Sequence, residues 1–401
     1  MRDGWATKRL GDVCSFENGD RGTNYPSRSA RTSQGIPFIN AGHLTDDGID
    51  IERLDYIPRE RFDLLGSGKI RAGDILFCLR GSLGKCASVG SLSEGAIASS
   101  LVIVRPRESV QNAYVMAYFQ SNICSDMINR FKNGAAQPNL SAHSLSSFTI
   151  PVPPLLEQQR IVGILDEAFD GIATAKANAE KNLQNARALF ESHLQAVFTE
   201  AWQSCQLVSL SQLATDITDG DHMPPPKSVT GVPFITIGNI QKQTRTIDFT
   251  NTFTVPQEYF SALKANKRPK RGDVLYTVTG SFGIPVIVED DMKFCFQRHI
   301  GLIRPKAGTQ SAWLYYLLLS PQVFKQANEG ATGTAQKTVS LKVLRSFNVP
   351  RVSPPRQWSA VTTLDAVVVQ TQRLESIYRQ KLASLDALKK SLLDQAFTGL
   401  L

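Results

Sequence analysis

The chain contains two copies of one sequence, and this duplication constrains the fold more than any other feature. The string GSLGKCASV at 81–89 returns as GSFGIPVIV at 280–288, a displacement of 199 residues in a chain of 401. RAGDILF at 71–77 returns at the same displacement as KRGDVLY at 270–276. Internal repeats of this length indicate a fold that is built twice. We therefore expect two quasi-equivalent halves, each with room for one domain and an extension.

The displacement of 199 residues holds to the end of the chain. The matched pairs include Gly134 with Gly333, Gln137 with Gln336, Ser141 with Ser340, Leu194 with Leu393, and Phe198 with Phe397. Before residue 71 the displacement slips by three, because GIPFINAGHL at 35–44 matches GVPFITIGNI at 231–240. A small insertion or deletion therefore lies in that part of one copy.

Composition and charge narrow the class of protein. A hydrophobic content of 42% is sufficient for packed cores, and the six cysteines lack C-x-x-C pairs or zinc-ligand spacing. We find no signal peptide and no long apolar run, so we expect a reduced, soluble, cytoplasmic protein with no membrane partner. The net charge of +8 is concentrated in residues 201–353, which hold 17 basic and 10 acidic residues. This excess favours nucleic acid only weakly.

Proline, glycine and apolar spacing divide the chain into four segments. Residues 1–150 and 201–353 predict mixed domains of short strands and turns. Each domain is predicted to end with one helix, Tyr114–Phe131 or Trp313–Glu329, and a polar glycine-containing loop. The predicted strands are Ile36–Asn40, Ile75–Leu79, Leu101–Val104, Phe234–Ile237, Val274–Val278 and Gly301–Ile303.

The other two segments, 151–200 and 354–401, predict long helices. Apolar residues recur there at intervals of three and four, as at Ile161, Leu165 and Ala168, and prolines precede both stripes. Helices of some 40 residues are about 60 Å long and cannot bury a narrow apolar seam alone, so we expect an antiparallel coiled coil. The predicted fold is α+β: two mixed α/β domains separated by this coiled coil, with a pseudo-two-fold internal repeat. The C-terminal FTGLL would then lie beside the first domain.

Catalytic motifs are not found in the sequence. GSLGK at 81–85 lacks the first glycine of a phosphate-binding loop, because position 79 is leucine. The adenine-methylating motif [DN]-P-P-[YF] does not occur, and the five histidines lack metal-ligand spacing. We therefore predict no catalytic residue and no metal site.

Three polar loops are present in both copies, and they carry groups that bind phosphates and base edges. The first loop is 16–28, paired with 218–227, the second is 79–85, paired with 278–284, and the third is 133–141, paired with 332–340. Arginine, asparagine and glutamine can make two-pronged contacts to guanine or adenine. The candidate DNA-binding residues are Arg21, Asn24, Tyr25, Arg28, Arg80, Ser82, Lys85, Gln137, Asn139, Asp221, His222, Lys227, Thr279, Ser281, Arg298, His299, Gln336 and Lys337.

Each loop also has a plain structural interpretation. The first can be an ordinary surface turn, the second a tight β-hairpin, and the glutamine of the third a buried anchor. The residues that differ between copies favour recognition: Thr279 stands where the first copy has Arg80, and Arg298-His299 stands where it has Ser99-Ser100. Two readers on one scaffold would show this pattern, whereas a duplicated catalytic site would keep its polar residues.

The whole chain resembles the specificity subunits of type I restriction-modification systems. The resemblance depends on IPVPPLLEQQRIV at 150–162, the QPNLS and GDI/GDV strings, and the order domain, helix, domain, helix. It implies that each domain is a target recognition domain that reads one half of a bipartite DNA site, with the helices as a spacer. Lengthening that spacer by one helical turn, about 5.4 Å, should change the accepted gap by between about one and two base pairs.

The resemblance also implies partners and their cofactors. Two modification subunits would use S-adenosylmethionine to methylate adenine N6, and restriction subunits would cleave DNA with ATP and Mg²⁺; this chain would bind no cofactor and catalyse nothing. The implied contact region for the modification subunits comprises Glu157, Gln158, Arg160, Arg356 and Gln357. The second copy departs from the pattern, since PPLLEQQ becomes PPRQW without the Glu-Gln pair.

Two alternatives remain open at the level of sequence. One is the specificity subunit of a type IIB-like system, whose partner fuses nuclease and methyltransferase. The other is a coiled-coil scaffold whose end domains bind protein or RNA. Sequence-discriminating duplex affinity that falls steeply with salt would argue against the scaffold.

Overall fold

The computed structural model describes residues 4–45, 48–134, 138–334 and 336–401. The chain divides into two compact units: unit 1 comprises Met1–Glu180 with Gln380–Leu401, and unit 2 comprises Lys181–Arg379. Each unit contains one mixed α/β domain and a part of both long helices. The predicted α+β fold class is therefore confirmed.

Unit 1 contains eleven strands among its described residues, most of them short. The strands are β1 (Ala6–Arg9), β2 (Cys14–Asn18), β3 (Ile36–Ile39), β4 (Leu44–Thr45), β5 (Gly48–Ile49), β6 (Asp55–Ile57), β7 (Ile75–Cys78), β8 (Cys86–Ser88), β9 (Ala96–Ile97), β10 (Leu101–Pro106) and β11 (Thr149–Val152). The helices are α1 (Leu10–Val13), α2 (Arg59–Asp63), α3 (Asn112–Gln120), α4 (Asn122–Phe131), α5 (Ala142–Ser146) and the long α6 (Leu155–Ser204), which continues into unit 2.

The central sheet of unit 1 has the order β2-β10-β7-β8 and is antiparallel throughout. Its two central strands, β7 and β10, are buried on both faces, since Phe77 and Val102 pack into one core, whereas Leu76 and Ile103 pack into a second core. Alternate residues of a strand point to opposite faces, so these strands are continuous apolar runs. A second sheet, β6-β3-β9, combines one antiparallel and one parallel pair.

Unit 2 repeats this architecture. Its strands are β12 (Leu207–Ser209), β13 (Ala214–Asp219), β14 (Val232–Ile235), β15 (Ile240–Gln241), β16 (Thr246–Ile247), β17 (Phe253–Val255), β18 (Val274–Thr277), β19 (Pro285–Ile287), β20 (Cys295–Phe296), β21 (Ile300–Pro305) and β22 (Asn348–Pro350). Its helices are α7 (Gln257–Ala262), α8 (Ser311–Leu319), α9 (Pro321–Gly330), α10 (Leu341–Ser346) and α11 (Pro354–Thr398). The central sheet, β13-β21-β18-β19, and the smaller sheet, β17-β14-β20, match those of unit 1 strand for strand.

The two long helices pack against each other in antiparallel fashion within each unit. In unit 1, Arg160 donates to the carbonyl of Leu401 at 2.7 Å, and Lys176 pairs with Asp386 at 2.8 Å. In unit 2, Arg187 pairs with Glu375 at 3.6 Å, and Arg356 with Glu200 at 3.0 Å. Residue numbers rise along α6 as they fall along α11, as the predicted antiparallel coiled coil requires.

The last turns of each long helix are anchored by one buried phenylalanine. Phe397 of α11 lies in the core of unit 1, with its ring centroid 5.0 Å from that of Tyr114. Phe198 of α6 occupies the equivalent place in unit 2, 4.8 Å from Trp313. The strings FTEAW at 198–202 and FTGLL at 397–401 therefore match because each supplies the buried phenylalanine that packs against a domain. The expectation that FTGLL lies beside the first domain is confirmed.

The single helix predicted near the end of each domain is wrong, because each domain has two helices there. Ser121 separates α3 from α4, and its side chain accepts a hydrogen bond from the Cys124 N–H as the N-cap of α4. Ser320 does the same between α8 and α9, with Pro321 in the first turn. A serine cap satisfies helix N–H groups that have no other partner, so a new helix can begin at the serine. The apolar spacing continues across this break, and the spacing alone therefore does not reveal it.

A buried ion pair explains why the GD strings at 73–74 and 272–273 and the RP strings at 105–106 and 304–305 occur in both copies. Arg105 binds Asp74 through two nitrogens at 2.7 and 2.8 Å, and Arg304 binds Asp273 at 2.9 and 2.8 Å. Both aspartates are buried, and each also accepts the backbone N–H at the start of its own turn. These bidentate pairs join β10 to the turn before β7, and β21 to the turn before β18.

Candidate nucleic-acid interface

The three predicted loops of unit 2 meet at one end of its central sheet. The first and second loops are joined through the segment between β20 and β21, where Arg298 N–H donates to the Asp221 carbonyl at 3.1 Å and the His299 carbonyl accepts from Val278 N–H at 2.9 Å. The third loop joins the second directly, since Val339 N–H donates to the Val278 carbonyl at 2.8 Å. The second loop is indeed the turn of the β18–β19 hairpin. The sheet end therefore holds the three loops in a fixed arrangement.

These loops enclose a concavity of about 340 Å³ in unit 2. Five of the predicted DNA-binding residues line it, together with Asp219 and the third loop. The five are His222, Thr279, Arg298, His299 and Gln336. Thr279 is buried, and its hydroxyl lies 3.4 Å from that of Thr338, whereas Arg298 and Gln336 are exposed. The lining of the concavity thus combines a buried threonine with the exposed polar side chains of Arg298 and Gln336.

Two aspartates of the first loop fix the charged groups near this concavity, and one of them, Asp219, was not among the predicted residues. Asp219 lies 2.8 Å from His222 Nε2 and 3.8 Å from the Lys267 ammonium. Asp221, a predicted DNA-binding residue, accepts a hydrogen bond from the Tyr259 hydroxyl at 2.8 Å, so its carboxylate anchors the first loop. Burial, followed by the neighbouring Arg298 charge, lowers the pKa of His299. A neutral imidazole offers one donor and one acceptor.

Unit 1 builds the same arrangement of loops with different side chains. Leu79 N–H donates to Ser100 at 2.8 Å, Leu140 N–H donates to Leu79 at 2.9 Å, and Asn133 and Asn139 exchange two backbone hydrogen bonds. Arg21 of the first loop donates to the carbonyl of Ser99 at 3.3 Å. Ser99 corresponds to Arg298, so an arginine lies at this point in both units: Arg21 of the first loop in unit 1, and Arg298 of the segment between β20 and β21 in unit 2.

A glycine permits the close approach of the first loop in each unit. A Cβ atom on Gly19 would lie 2.6 Å from the carbonyl oxygen of Ala98, and one on Gly220 would lie 1.9 Å from that of Phe296. Asp20 then holds the loop of unit 1 by accepting the Gly66 N–H at 2.7 Å. Hydrogen bonds from Gly22 and Gly66 lower the pKa of Asp20. The string GD in the first loop was a signal for this anchor.

Other predicted residues lie outside these contacts. Tyr25 packs edge-on against Phe38 at the edge of an apolar core, Asn24 donates to the Leu64 carbonyl, and Lys227 lies over the ring of Phe253. Lys85 lines a separate concavity, and Lys337 donates to Asn328. Arg28, Arg80, Ser82 and Ser281 are exposed, Asn139 is half-buried, and Gln137 lies outside the described residues. Their contacts with DNA stay predictions.

The predicted partner-contact residues have two kinds of environment. Arg160 pairs with Glu157 at 2.7 Å, and Arg356 donates to Glu200 at 3.0 Å and to Ser204 at 3.1 Å, so the charged residues lie on the surface of the helix pairs. The two glutamines do not, since both Gln158 and Gln357 are buried. Their burial argues against a direct partner contact by these two side chains, and the predicted contact stays a prediction.

The glutamines instead hold each long helix to its own domain. Gln158 accepts the Gln111 N–H at 2.9 Å and donates to the carbonyls of Ser109 and Pro153. Gln357 accepts the Gln310 N–H at 2.8 Å and donates to Gly308 and Val352. The second copy thus retains this glutamine, while the residues on both sides of it change, from Glu157 to Arg356 and from Gln159 to Trp358. The displacement of 199 residues was the signal that identifies this pair.

Exposed apolar side chains accompany the charged residues, and the sequence analysis did not select them. Leu156 is 80% exposed in unit 1, and Trp358 is 62% exposed in unit 2. Each lies in the first turns of its long helix.

The described residues contain no group of three or more metal-ligating side chains, and none of their helices is long and apolar enough to cross a membrane.

A family model for the type I restriction modification DNA specificity domain matches residues 2–184 and, a second time, residues 200–382. The matches cover more than half of the chain. The chain therefore belongs to this family and carries two of its domains, and the predicted membership of the type I specificity subunits is confirmed.

Similar proteins include two curated specificity subunits. The EcoKI specificity subunit of Escherichia coli strain K12 is 22% identical over 100% of this chain and 89% of its own length. The EcoBI specificity subunit of Escherichia coli is 23% identical over 68% of this chain and 62% of its own length, so this match spans less than two thirds of that relative.

Two solved structures have the same fold. One chain, from work on "complex assembly and conformational transition of the type I R-M system", has a TM-score of 0.81 at 21% identity, covering 100% of this chain and 99% of its own. The HsdS subunit from Thermoanaerobacter tengcongensis has a TM-score of 0.65 at 20% identity, covering 100% and 98%.

Proposed function

We propose that this chain selects the DNA sequence on which a type I restriction-modification complex acts, with each unit reading one half of a bipartite duplex site. One observation carries the proposal: both units hold the second and third loops by equivalent backbone hydrogen bonds, bring the first loop close through an equivalent glycine, and place different polar side chains on these loops. A shared arrangement gives both units one docking geometry. Different side chains give each unit its own sequence preference.

The side chains at the sheet ends suit base-edge recognition. Unit 1 presents Arg21 and Arg80, with Asn139 beside them in the third loop, and unit 2 presents Arg298 and Gln336. Arginine makes two hydrogen bonds to guanine, and asparagine or glutamine makes two to adenine, in the major groove. The exposed lysines of the neighbouring loops would contact phosphates, which adds affinity without sequence information.

The chemistry belongs, in this proposal, to partner subunits. Two modification subunits would bring S-adenosylmethionine and methylate adenine N6, and restriction subunits would bring ATP and Mg²⁺ for cleavage. Their contact region would include Glu157, Arg160 and Arg356, together with the exposed Leu156 and Trp358. Exposed tryptophan and arginine side chains are frequent hot spots of protein interfaces, which supports this location.

The test is to map methylated adenines genome-wide in cells that make this chain with its modification subunits. We expect one bipartite motif, which disappears when the gene for this chain is deleted. Purified chain without partners should bind the motif duplex and neither methylate nor cut it. Methylation of the same motif in the deletion strain would contradict the proposal, as would catalysis by the isolated chain.

A further inference from the structure

A second concavity, of about 400 Å³, lies in unit 1 between its domain and the last turns of α11. The turn between β7 and β8, the end of α3 and one face of α11 form its walls. Three lysines and one aspartate supply its charge: Lys85, Lys389, Lys390 and Asp386. Phe119 and Leu393 contribute apolar surface.

The positive charges outweigh the carboxylate at this concavity. Asp386 pairs with Lys176 at 2.8 Å, so its negative charge is shared with an ammonium group that is not among the lining residues. The hydrogen bond from Lys176, followed by the charges of Lys390 and Lys389, lowers the pKa of Asp386. The ammonium groups of Lys176, Lys389 and Lys390 therefore lie near this one carboxylate.

Two further contacts of these lysines with described residues bring no negative charge. The Lys389 ammonium lies 4.9 Å from the centroid of the Phe169 ring, and Lys85 Nζ lies 3.4 Å from the carbonyl oxygen of Ala41. A carbonyl dipole and an aromatic face attract a cation without neutralising it. The concavity thus keeps a net positive charge, which a bound anion would neutralise.

Unit 2 provides an internal comparison, because it lacks this group of lysines. At the displacement of 199 residues, Lys85 corresponds to Ile284, Lys389 to Phe190, and Lys390 to Glu191. The ring of Phe190 packs against Tyr316 with 6.3 Å between centroids, and Ile284 packs against an apolar core. Unit 2 therefore has aromatic and aliphatic packing where unit 1 has ammonium groups, so the fold itself does not require the lysines.

We propose that this lysine concavity of unit 1 binds backbone phosphates of the duplex next to the half-site that the loops of unit 1 read. The inference depends on the proposed function. It adds Lys389 and Lys390 of the long helix as phosphate contacts. Lys85 and the predicted base reader Arg80 lie in one hairpin turn, so a duplex held by the loops has phosphates close to the concavity. Lysine ammonium groups bind phosphate as compact point charges.

The inference makes the two halves of the site unequal in their salt dependence. Each phosphate contact releases counterions and contributes about 0.9 to the slope of log K against log salt. Removing two such contacts should lower the slope by about 2, and it should weaken target and non-target duplexes equally, because phosphates carry no sequence information.

The experiment compares the full-length chain with its double variant Lys389→Gln/Lys390→Gln. Binding of a fluorescent duplex with the mapped motif, and of a scrambled duplex, is measured by anisotropy from about 50 to 300 mM salt, a range over which such contacts dominate affinity. The control is Lys181→Gln/Lys381→Gln, which removes two exposed charges from the long helices outside the concavity. Matching circular dichroism and thermal unfolding establish that all variants are folded.

We expect a slope reduced by about 2 in the Lys389/Lys390 variant alone, with an unchanged ratio of target to scrambled affinity. An unchanged slope would overturn the inference. An equal reduction in the control would also overturn it, by showing a diffuse charge effect. If the double variant binds DNA normally but loses its modification subunits, the lysines contact acidic protein instead. Failure of the wild-type chain to discriminate between the duplexes would refute the proposed function, a separate result.

Discussion

The buried scaffold residues of unit 1 recur in unit 2, whereas the polar side chains on the loops differ between the two units. Both have the same order of strands, a bidentate arginine-aspartate pair, a buried glutamine at the start of the long helix and a buried phenylalanine at the end of the other. Their loops share backbone hydrogen bonds, while Arg80 is replaced by Thr279 and Ser99 by Arg298. The shared residues thus maintain a scaffold, and we propose that the unshared ones carry the specific interactions.

The comparison is tested most strongly at the two anchoring phenylalanines. Phe397→Ala should destabilise unit 1, and Phe198→Ala should destabilise unit 2, each by about 4 kcal/mol, because a buried ring is replaced by a cavity. Hydrogen exchange of the sheet amides, read unit by unit, measures the effect. Leu400→Ala, at a side chain that is 75% exposed, is the control and should change little. Equal loss of protection in both units from either variant would show that the units do not unfold separately.

The buried ion pairs should give the next largest effect. Asp74→Ala and Asp273→Ala each remove the bidentate partner of a largely buried arginine, which keeps only a longer ion pair to Glu17 or Asp216, so each should cost about 3 kcal/mol in its own unit. Chemical denaturation monitored by unit-specific hydrogen exchange tests this. Glu94→Ala removes an exposed partner of Arg59 and should have no measurable effect. A small effect of the buried substitutions would mean that water reaches the arginines.

The loop residues should separate the two units by sequence preference and leave stability unchanged. Arg298→Ala should relax one base of the half-site read by unit 2 by about 2 kcal/mol, and Arg80→Ala should do so only in the other half. Methylated-adenine maps and duplex binding measure this. Arg53→Ala, at an exposed arginine outside the three loops, is the control. Changes in both halves of the motif from either variant would contradict the assignment of one half to each unit.

A smaller effect concerns pH, and the two units differ here at one pair of residues. Burial lowers the pKa of His43 despite the opposing charge of Asp55, whereas the equivalent residue in unit 2, Asn239, does not titrate. Both side chains accept the backbone N–H of the residue three positions earlier. Because the pKa is lower in the folded state, the contribution of His43 to stability is complete above its ordinary pKa of about 6.5 and is lost as pH falls through the lowered value.

His43→Asn, which copies unit 2, should therefore weaken the loss of stability of unit 1 between about pH 7 and pH 5 while keeping the backbone hydrogen bond. Unfolding free energies of unit 1 at several pH values, from hydrogen exchange, give the measurement. His143→Asn, at an exposed histidine of α5, is the control. An unchanged pH dependence in His43→Asn would show that His43 does not cause it.

Much of the scaffold was predictable from sequence because the chain is its own comparison. The displacement of 199 residues identifies Phe198 with Phe397 and the two GD strings without any other protein. Proline and apolar spacing predict both long helices, found at Leu155–Ser204 and Pro354–Thr398. The break at Ser121 was missed, since apolar spacing continues across a serine cap whose hydrogen bond is visible only in the backbone geometry.

The candidate site was predictable as a set of loops and not as an arrangement of side chains. The repeat identified all three loops in each unit, but glutamine at the start of a long helix is a surface residue by composition alone. Gln158 and Gln357 are buried because three backbone groups converge on each amide, and sequence spacing does not show that convergence. Asp219 was passed over for the same reason, since its role depends on His222 and Lys267 being near it.

The sequence by itself determined that this protein is a duplicated α+β chain with two long helices, and its local patterns were sufficient because strands, helices and repeats are properties of neighbouring residues. Only the tertiary structure decided which polar residues face solvent, which hold the scaffold, and that Lys85 lies with Lys389 and Lys390 at one concavity. Those relations join residues as many as 305 positions apart in the chain. They depend on how the helix returns to its domain, which no local pattern records.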